Sequence, residues 1–311
     1  MGWLIVLLVL LALLVVWLGA GYYAFTVFCL RNPKEESDTR EKVEHGHHGV
    51  YKEPILEGMD WIDAHHPELV ETQSFDGLRL VGHYIPRENA RGVALLFHGY
   101  HGAWNFDFSC SIPYYHSLGF SILSVSERAH GESDGRYLTY GVKERYDVRT
   151  WIDYVNQRFG SDTPILIGGL SMGAATVQMA CGLDLPKNVR ACVSDCGFTT
   201  PDEIGVHVLR RQKLPVWLLW PQVALLCRVL AGFSLKEYST LTAQRKNHIP
   251  TFFAHGEADD LVPCEMTLRN YKACRAEKHL LTVPGATHGV SYLVDRPRYE
   301  REIKEFLDRY F

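Results

Sequence analysis

Six apolar runs, each closed by a short polar segment with glycine, constrain this chain more than any other feature. They read GVALLF, FSILSVS, PILIGGL, VRACVSD, IPTFFA and HLLTV. Such continuous runs are typical of strands buried on both faces of a parallel sheet. Stretches with helical spacing, such as YDVRTWIDYVNQRF, MGAATVQMA, EMTLRNYKACRAEK and RPRYEREIKEFLDRYF, separate or follow them. The alternation predicts an α/β fold with a mostly parallel sheet and helices on both faces.

The polar segments that follow the runs contain the reactive side chains. They read HGY, SERAHGESDG, GLSMG, SDCGF, HGEADD and GATHG. In open α/β sheets ligands bind at the carboxyl ends of the strands. We therefore expect the functional site at that edge.

One segment fits the pattern G-x-S-x-G, with Ser171 between Gly169 and Gly173. The pattern alone is weak, but here it follows a predicted strand and opens a predicted helix, which is the context of a nucleophile elbow. The glycines lack Cβ atoms where strand and helix must pass closely. A phosphate-binding turn would need a different glycine or lysine pattern, which this turn lacks. Ser171 is therefore the predicted nucleophile.

A serine hydroxyl needs a base, and the base needs an acid that fixes its tautomer. His288, in PGATHGVSY after the last run, is the predicted base. The segment HGEADDLVP offers three carboxylates, and we select Asp259, with Asp195 as the runner-up. The order of serine, aspartate and histidine is that of α/β hydrolases.

Acyl transfer also requires donors for the oxyanion. The backbone N–H groups of Met172, directly after the nucleophile, and Tyr100, in the HGYHG loop, are the predicted donors. His98 and His101 in the same loop are expected to be structural.

These motifs, together with FDGLRLVGHYIP, follow the order found in the α/β-hydrolase superfamily, which the chain resembles over residues 70–311. They look most like the serine-hydrolase branch of membrane-associated esterases and aminopeptidase-like proteins. That branch has D-x-R-G-H-G-x-S-x-G where this chain has SERAHGESDG, so Glu127 and Ala129 are departures that can alter the loop. The resemblance implies no cofactor and leaves the substrate open.

The segment from Trp3 to Leu30 has no charged residue over 28 positions. A transmembrane helix needs about 20 apolar residues, and a signal peptide would have a basic start and a shorter apolar stretch. We predict a transmembrane anchor over 1–30, a tether and extension over 31–70 and the hydrolase domain over 71–311. Every candidate catalytic residue lies beyond the anchor, so its deletion is expected to leave an active, soluble enzyme.

Charge and cysteine content bear on location and partners. Arg31, Lys34, Arg40 and Lys42 all follow the anchor, and the positive-inside rule then favours a cytoplasmic catalytic domain. Eight scattered cysteines show no disulfide framework. A net charge of −4 gives no reason to expect nucleic acid. The sequence does not define an oligomeric state.

A histidine cluster in EHGHHG, formed by His45, His47 and His48, raises the question of a metal site. Such clusters are usually solvated, and no further ligands with metal spacing lie nearby. We expect no bound metal.

Residues 197–248 separate two runs and contain PVWLLWPQVALLCRVLAGF, with Arg228 as the only charge. A second membrane span is the alternative, but Pro221 is expected to break it, so we predict a helical cap over the site. Some of its large apolar side chains are expected to face the cleft; the candidates are Trp217, Leu218, Trp220, Val223, Leu226 and Leu230. Such a cap would suit a hydrophobic acyl ester, although these residues can equally form the cap's own core.

Three functions are compatible with the sequence. A serine carboxylester hydrolase is favoured, acting on a small-molecule ester. A serine peptidase for short peptides would need acidic residues that hold a free amino terminus, and SERAHGESD or TTPDEI contain some. A membrane-tethered interaction protein without activity is disfavoured by the intact set of serine, aspartate and histidine.

Overall fold

The computed structural model describes residues 2–32, 39–45 and 49–311. An eight-stranded sheet forms its centre. The strands are Glu68–Gln73 (β1), Arg79–Ile85 (β2), Gly92–Phe97 (β3), Phe120–Ser126 (β4), Ile165–Leu170 (β5), Val189–Asp195 (β6), Thr251–Gly256 (β7) and Lys278–Val283 (β8). Their spatial order is β1-β2-β4-β3-β5-β6-β7-β8; β2 is antiparallel to β1 and β4, and all later pairs are parallel.

The helices cover the sheet and one end of the molecule. They are Gly2–Cys29 (α1), Thr39–His45 (α2), Lys52–Ala64 (α3), Ile112–Ser117 (α4), Glu144–Phe159 (α5), Met172–Ala180 (α6), Pro201–Arg211 (α7), Val216–Val229 (α8), Thr240–Gln244 (α9), Cys264–Ala273 (α10), Ser291–Val294 (α11) and Arg296–Leu307 (α12). A short 3-10 helix spans Gly49–Tyr51.

Side chains alternate between two cores across the sheet. In β3, Val93 and Leu95 belong to one core, with residues of α5 and α6. Ala94 and Leu96 belong to the other core, with residues of α4 and α12. Both faces are covered, which explains why the strands read as continuous apolar runs. The predicted α/β architecture is confirmed.

Strand β1 and helix α3 are among the elements that were not predicted. The edge strand β1 pairs with β2 but buries only Val70, so its sequence, ELVETQ, carries no continuous apolar signal. Helix α3 precedes it and buries Ile55, Met59 and Ile62 on one side.

The segment between β6 and β7 folds into α7, α8 and α9. Helix α8 continues through Pro221, so the expectation that this proline breaks the helix is wrong. With 14 residues α8 is still shorter than the about 20 residues that span a bilayer.

Helix α1 is the one helix in the described part of the chain long and apolar enough to cross a membrane. Large apolar side chains from Trp3 to Val16 are exposed, whereas Phe25 and Cys29 are buried against α8 and the segment before α5. Trp17 Nε1 donates to the carbonyl oxygen of Leu218 at 3.1 Å. The last third of α1 is therefore part of the folded domain, which the expectation of a detached anchor did not include.

Candidate active site

Ser171 occupies a strained turn between β5 and α6. Its backbone has φ 53° and ψ −110°, which side-chain-bearing residues rarely adopt. A Cβ on Gly169 would lie 2.2 Å from the carbonyl oxygen of Gly173, and one on Gly173 would lie 2.0 Å from that of Phe97. Both glycines are therefore required by close backbone approach, as the sequence predicts.

His288 lies between Ser171 and Asp259. Its Nε2 is 2.9 Å from Ser171 Oγ, and its Nδ1 is 2.7 Å from Asp259 Oδ2. Ser171 comes from the end of β5, Asp259 from the loop after β7 and His288 from the loop after β8. The parallel sheet brings these three loops to one edge.

The Asp259 side chain is fully buried, while that of His288 is 22% exposed. Burial opposes ionisation of Asp259, but hydrogen bonds from His255, His288 and the Val262 N–H hold its pKa well below the usual range. The carboxylate therefore stays charged and can orient His288 at neutral pH.

The other carboxylates considered from the sequence have different partners. Asp260 is exposed and pairs with Arg211 of α7 at 2.8 Å. Glu257 accepts a hydrogen bond from Thr282 Oγ1 at 2.8 Å. Asp195 accepts the Ser171 N–H through its backbone carbonyl, and burial raises the pKa of its side chain. Of the four, only Asp259 contacts His288 through its side chain.

His255 was not singled out from the sequence. Its Nε2 is 3.1 Å from Asp259 Oδ2 and 2.8 Å from the Val262 carbonyl oxygen, and its Nδ1 is 2.7 Å from Thr267 Oγ1. Two acceptors beside Nε2 place a proton on that nitrogen. His255 thus donates to Asp259 Oδ2, the same oxygen that His288 Nδ1 contacts. The sequence signal for this contact is that His255 precedes Asp259 by four positions in HGEAD, and such a spacing alone is weak.

The predicted oxyanion donors flank the serine. Met172 begins α6, so its N–H has no acceptor within the helix. Tyr100 follows β3, lines the cavities beside Ser171 and donates its hydroxyl to the Val27 carbonyl of α1. Their role remains a prediction.

Buried polar contacts hold the Tyr100 loop. His98 Nε2 accepts the Glu127 N–H at 3.0 Å, and burial lowers the pKa of His98 to about 4. The His101 N–H donates to His130 Nε2 at 3.2 Å. These contacts agree with the structural role expected for His98 and His101.

Asp107 is a further residue that the sequence did not single out. Its Oδ2 accepts the Gly99 N–H at 2.5 Å. Removal from water raises the pKa of Asp107 to about 6, against the opposing effects of the Gly99 N–H and His288. This carboxyl group holds the start of the Tyr100 loop.

The SERAHGESDG loop keeps a left-handed turn despite its departures. Ala129 has φ 61°, a conformation that favours glycine. Glu127 is buried, which raises its pKa well above the usual range. Arg128 pairs with Asp147 at 2.6 Å and Asp76 at 2.9 Å.

Among the described residues, one group has metal-ligand spacing: Cys196, Asp259 and His288, whose ligand atoms lie within 4.8 Å of one another. Both imidazole nitrogens of His288 already face Ser171 and Asp259. The group therefore coincides with the serine site. Of the cluster His45, His47 and His48, no side chain lies within the described part of the structure.

Two cavities meet at Ser171. The histidine-side cavity, about 670 Å³, is lined by Asp107, Thr287 and His288 among others. The apolar cavity, about 550 Å³, is lined by side chains of α1, α7 and α8. Tyr100, Ser171 and Leu261 line both.

The two cap tryptophans have different surroundings. Trp220 lines the apolar cavity and donates from Nε1 to Asp202 Oδ1 at 2.9 Å. Trp217 is 78% exposed on the outside of α8.

The order of the strands in the sheet and the turn at Ser171 are those of the α/β-hydrolase fold, and similarity to known proteins agrees. A family model for the alpha/beta hydrolase fold matches residues 93–245. The chain therefore has the α/β-hydrolase fold.

Individual proteins extend this likeness beyond the matched segment. Uncharacterized protein YqkD of Bacillus subtilis is 24% identical over 290 residues, 92% of this chain and 91% of YqkD. The solved esterase Pf2001 of Pyrococcus furiosus has a TM-score of 0.65 at 22% identity, covering 85% of this chain and 96% of the esterase. An acylaminoacyl peptidase of Pyrococcus horikoshii has a TM-score of 0.59 at 18% identity, covering 79% of this chain and 42% of the peptidase. At these identities the solved structures establish the shared fold.

Proposed function

We propose that this protein is a serine hydrolase that cleaves carboxylic esters through an acyl-enzyme intermediate. The observation that carries the proposal is the continuous hydrogen-bonded series Ser171–His288–Asp259, with 2.9 and 2.7 Å between the paired atoms. The similarity to an esterase of the same fold supports it.

In the proposed mechanism Ser171 Oγ attacks the ester carbonyl carbon while His288 Nε2 takes its proton. Asp259 stabilises the resulting imidazolium. The N–H groups of Tyr100 and Met172 stabilise the oxyanion. His288 then returns the proton to the departing alcohol. Water, deprotonated by His288, attacks the acyl-serine and releases the carboxylic acid and Ser171.

An ester is favoured over a peptide because the acidic residues proposed to hold an amino terminus have other partners. Glu132 accepts from Ser126 Oγ at 3.0 Å. Asp202 accepts from Trp220 Nε1, and Glu203 pairs with Arg269. Each of these three carboxylates is thus already engaged by another side chain.

Covalent labelling and hydrolysis test the proposal together. Ser171→Ala should abolish labelling by a fluorophosphonate and lower hydrolysis of p-nitrophenyl esters about 10⁴-fold or more. The matched control is Ser117→Ala, at an exposed serine of α4, which should behave as wild type. Labelling that persists in Ser171→Ala would contradict the assignment. Faster turnover of aminoacyl anilides than of esters would favour the peptidase.

A further inference from the structure

One face of the apolar N-terminal helix forms a wall of the cavity beside the nucleophile. Ala20, Tyr23, Ala24, Val27 and Phe28 of α1 line the apolar cavity. Their spacing of three, four, seven and eight positions is that of a single helical face. A membrane helix that served only as a tether would have no reason to present a face to the catalytic serine.

Contacts along the helix fix this wall in place. Gly21 approaches Gln222 so closely that a Cβ would lie 2.1 Å from its Oε1. Cys29 Sγ is 3.3 Å from Cys227 Sγ. Near the serine, the Tyr100 and Tyr140 hydroxyls donate to the Val27 and Phe28 carbonyls. Removal of α1 as a signal sequence would open the cavity, so these contacts favour a retained helix.

Aromatic residues indicate where a bilayer would meet α1. Trp3 and Tyr22 are 19 residues apart, about 28 Å along a helix, and the hydrocarbon core is about 30 Å thick. Tryptophan and tyrosine are enriched at the two boundaries of that core. Tyr22 and Tyr23 then mark one boundary, and Ala20, Tyr23 and Ala24 of the cavity wall lie at that level.

The outer face of α8 fits the same boundary. Trp217, Leu225 and Val229 are exposed there, although they are large and apolar. Leu218 lies beside Trp17 and Cys227 beside Cys29, so α8 runs along the packed third of α1. Its start lies at the depth of Trp17, inside the hydrocarbon, and its single charge, Arg228, lies towards the headgroups. Trp217, at the start of this face, therefore lies at a depth where lipid solvates it.

We propose that the apolar cavity binds the acyl chain of an ester that resides in the bilayer, and that the chain enters along α1. This inference rests on the proposed esterase function and names its substrate class. The ester carbonyl lies at Ser171, where the two cavities join. The alcohol part occupies the histidine-side cavity, where His288 delivers its proton. The acyl chain has no polar atoms, so its burial in the apolar cavity leaves no group without a hydrogen-bond partner.

The geometry of α1 predicts a length scale for the acyl chain. The Val27 carbonyl receives the hydroxyl of Tyr100, which lines both cavities with Ser171. Ala24 and Ala20 lie three and seven residues further along α1, about 4 and 10 Å at 1.5 Å per residue. A bulky side chain at Ala24 therefore blocks shorter chains than one at Ala20.

The test uses the full chain in liposomes that contain esters of increasing acyl length. Ala24→Phe should lower hydrolysis of long-chain esters at least tenfold and leave acetate and butyrate esters within about twofold, the size expected for a steric change in an apolar pocket. Ala20→Phe should spare intermediate lengths that Ala24→Phe rejects. Leu18→Phe, at an exposed position of α1 outside the cavity, is the matched control and should not change the profile.

The retained short-chain activity shows in the same assay that each variant is folded. Equal losses for short and long esters, or the same profile from Leu18→Phe as from Ala24→Phe, would overturn the acyl-chain site while leaving the esterase intact. A wild-type chain that neither reacts with a fluorophosphonate at Ser171 nor cleaves any ester would instead overturn the proposed function, and this inference with it.

Discussion

The two cavities that meet at Ser171 are built in different ways. The histidine side is lined mainly by loops that follow strand ends, together with the 3-10 helix Gly49–Tyr51 and Ile55 of α3, and it contains the contact between His288 and Asp259. The apolar side is made by helices far apart in sequence, as the contact of Trp17 with Leu218, 201 positions away, illustrates. In the proposed enzyme the loops of the sheet would carry out the chemistry, and the accessory helices would select the substrate. Reaction type and substrate range can therefore change independently.

The largest expected effect sharpens the chemical side of this comparison. Asp259→Asn should lower kcat about 10⁴-fold, because an amide cannot hold His288 in the useful tautomer. Asp260→Asn, the adjacent control, should stay within about twofold, since Asp260 pairs with Arg211 at the surface. Steady-state kinetics on a short ester measures both. Similar losses in the two variants would transfer the acidic role away from Asp259.

Two truncations address the apolar side. Deletion of residues 2–16 removes a segment whose large apolar side chains are exposed, and the melting temperature in detergent should change little. Deletion of residues 2–30 also removes buried Phe25 and Cys29, and loss of one buried phenylalanine side chain alone costs about 3–5 kcal/mol. The longer deletion should lower both the melting temperature and long-chain ester hydrolysis. Equal stability of the two truncated chains would restore the view of α1 as a detachable anchor.

His255 offers a graded change on the histidine side. His255→Ala should lower kcat about 10- to 100-fold with little change in KM, because Asp259 loses one of the donors that position it. His255→Gln, which can still donate near the Nε2 position, should recover part of the activity. Wild-type activity in both variants would show that His255 has no positioning role.

The His255→Ala variant should also change how the stability of the protein depends on pH. The folded-state pKa of Asp259 lies below its ordinary value of about 4, so this carboxylate adds stability above that pH. The contribution is lost as the pH falls below about 4 towards the folded-state pKa. His255→Ala raises that pKa, reduces the contribution and should move acid unfolding, followed by circular dichroism, to higher pH. A merely space-filling histidine would not produce that shift.

The smallest effect concerns the two cap tryptophans. Trp220→Ala enlarges the apolar cavity and should move the preferred acyl length up by a few carbons, with rate changes of about tenfold or more. Trp217→Ala removes an exposed side chain and should leave the length profile unchanged. Hydrolysis of esters from acetate to decanoate measures both. An unchanged profile in Trp220→Ala, with a lower melting temperature, would reduce this tryptophan to packing.

The sequence was informative where signals are local. Buried strands read as apolar runs, and Gly169 and Gly173 marked the serine turn because backbone contact there excludes a Cβ. The geometry also joins Ser171, His288 and Asp259 as the sequence suggests. The edge strand β1 was missed because a strand with one buried residue lacks that pattern.

Other features depend on distant packing. His255 and Asp107 acquire their roles only when separate loops meet, so neither residue type nor spacing identifies them. The cavity wall formed by α1 was not predicted for the same reason. An apolar helix has the same sequence pattern whether lipid or protein covers it. Pro221 was misjudged because a single missing N–H can be tolerated within a helix packed against its neighbours.

The docking of α1 on the domain has a kinetic consequence. If substrate enters from the bilayer as proposed, packing of the helix against α8 would keep the mouth of the cavity at one depth, and an ester would find it by lateral diffusion. The search is then two-dimensional, and the relevant concentration is the mole fraction of ester among the lipids. Diluting the ester with an inert lipid would slow turnover even when the total amounts of enzyme and ester in the sample stay the same.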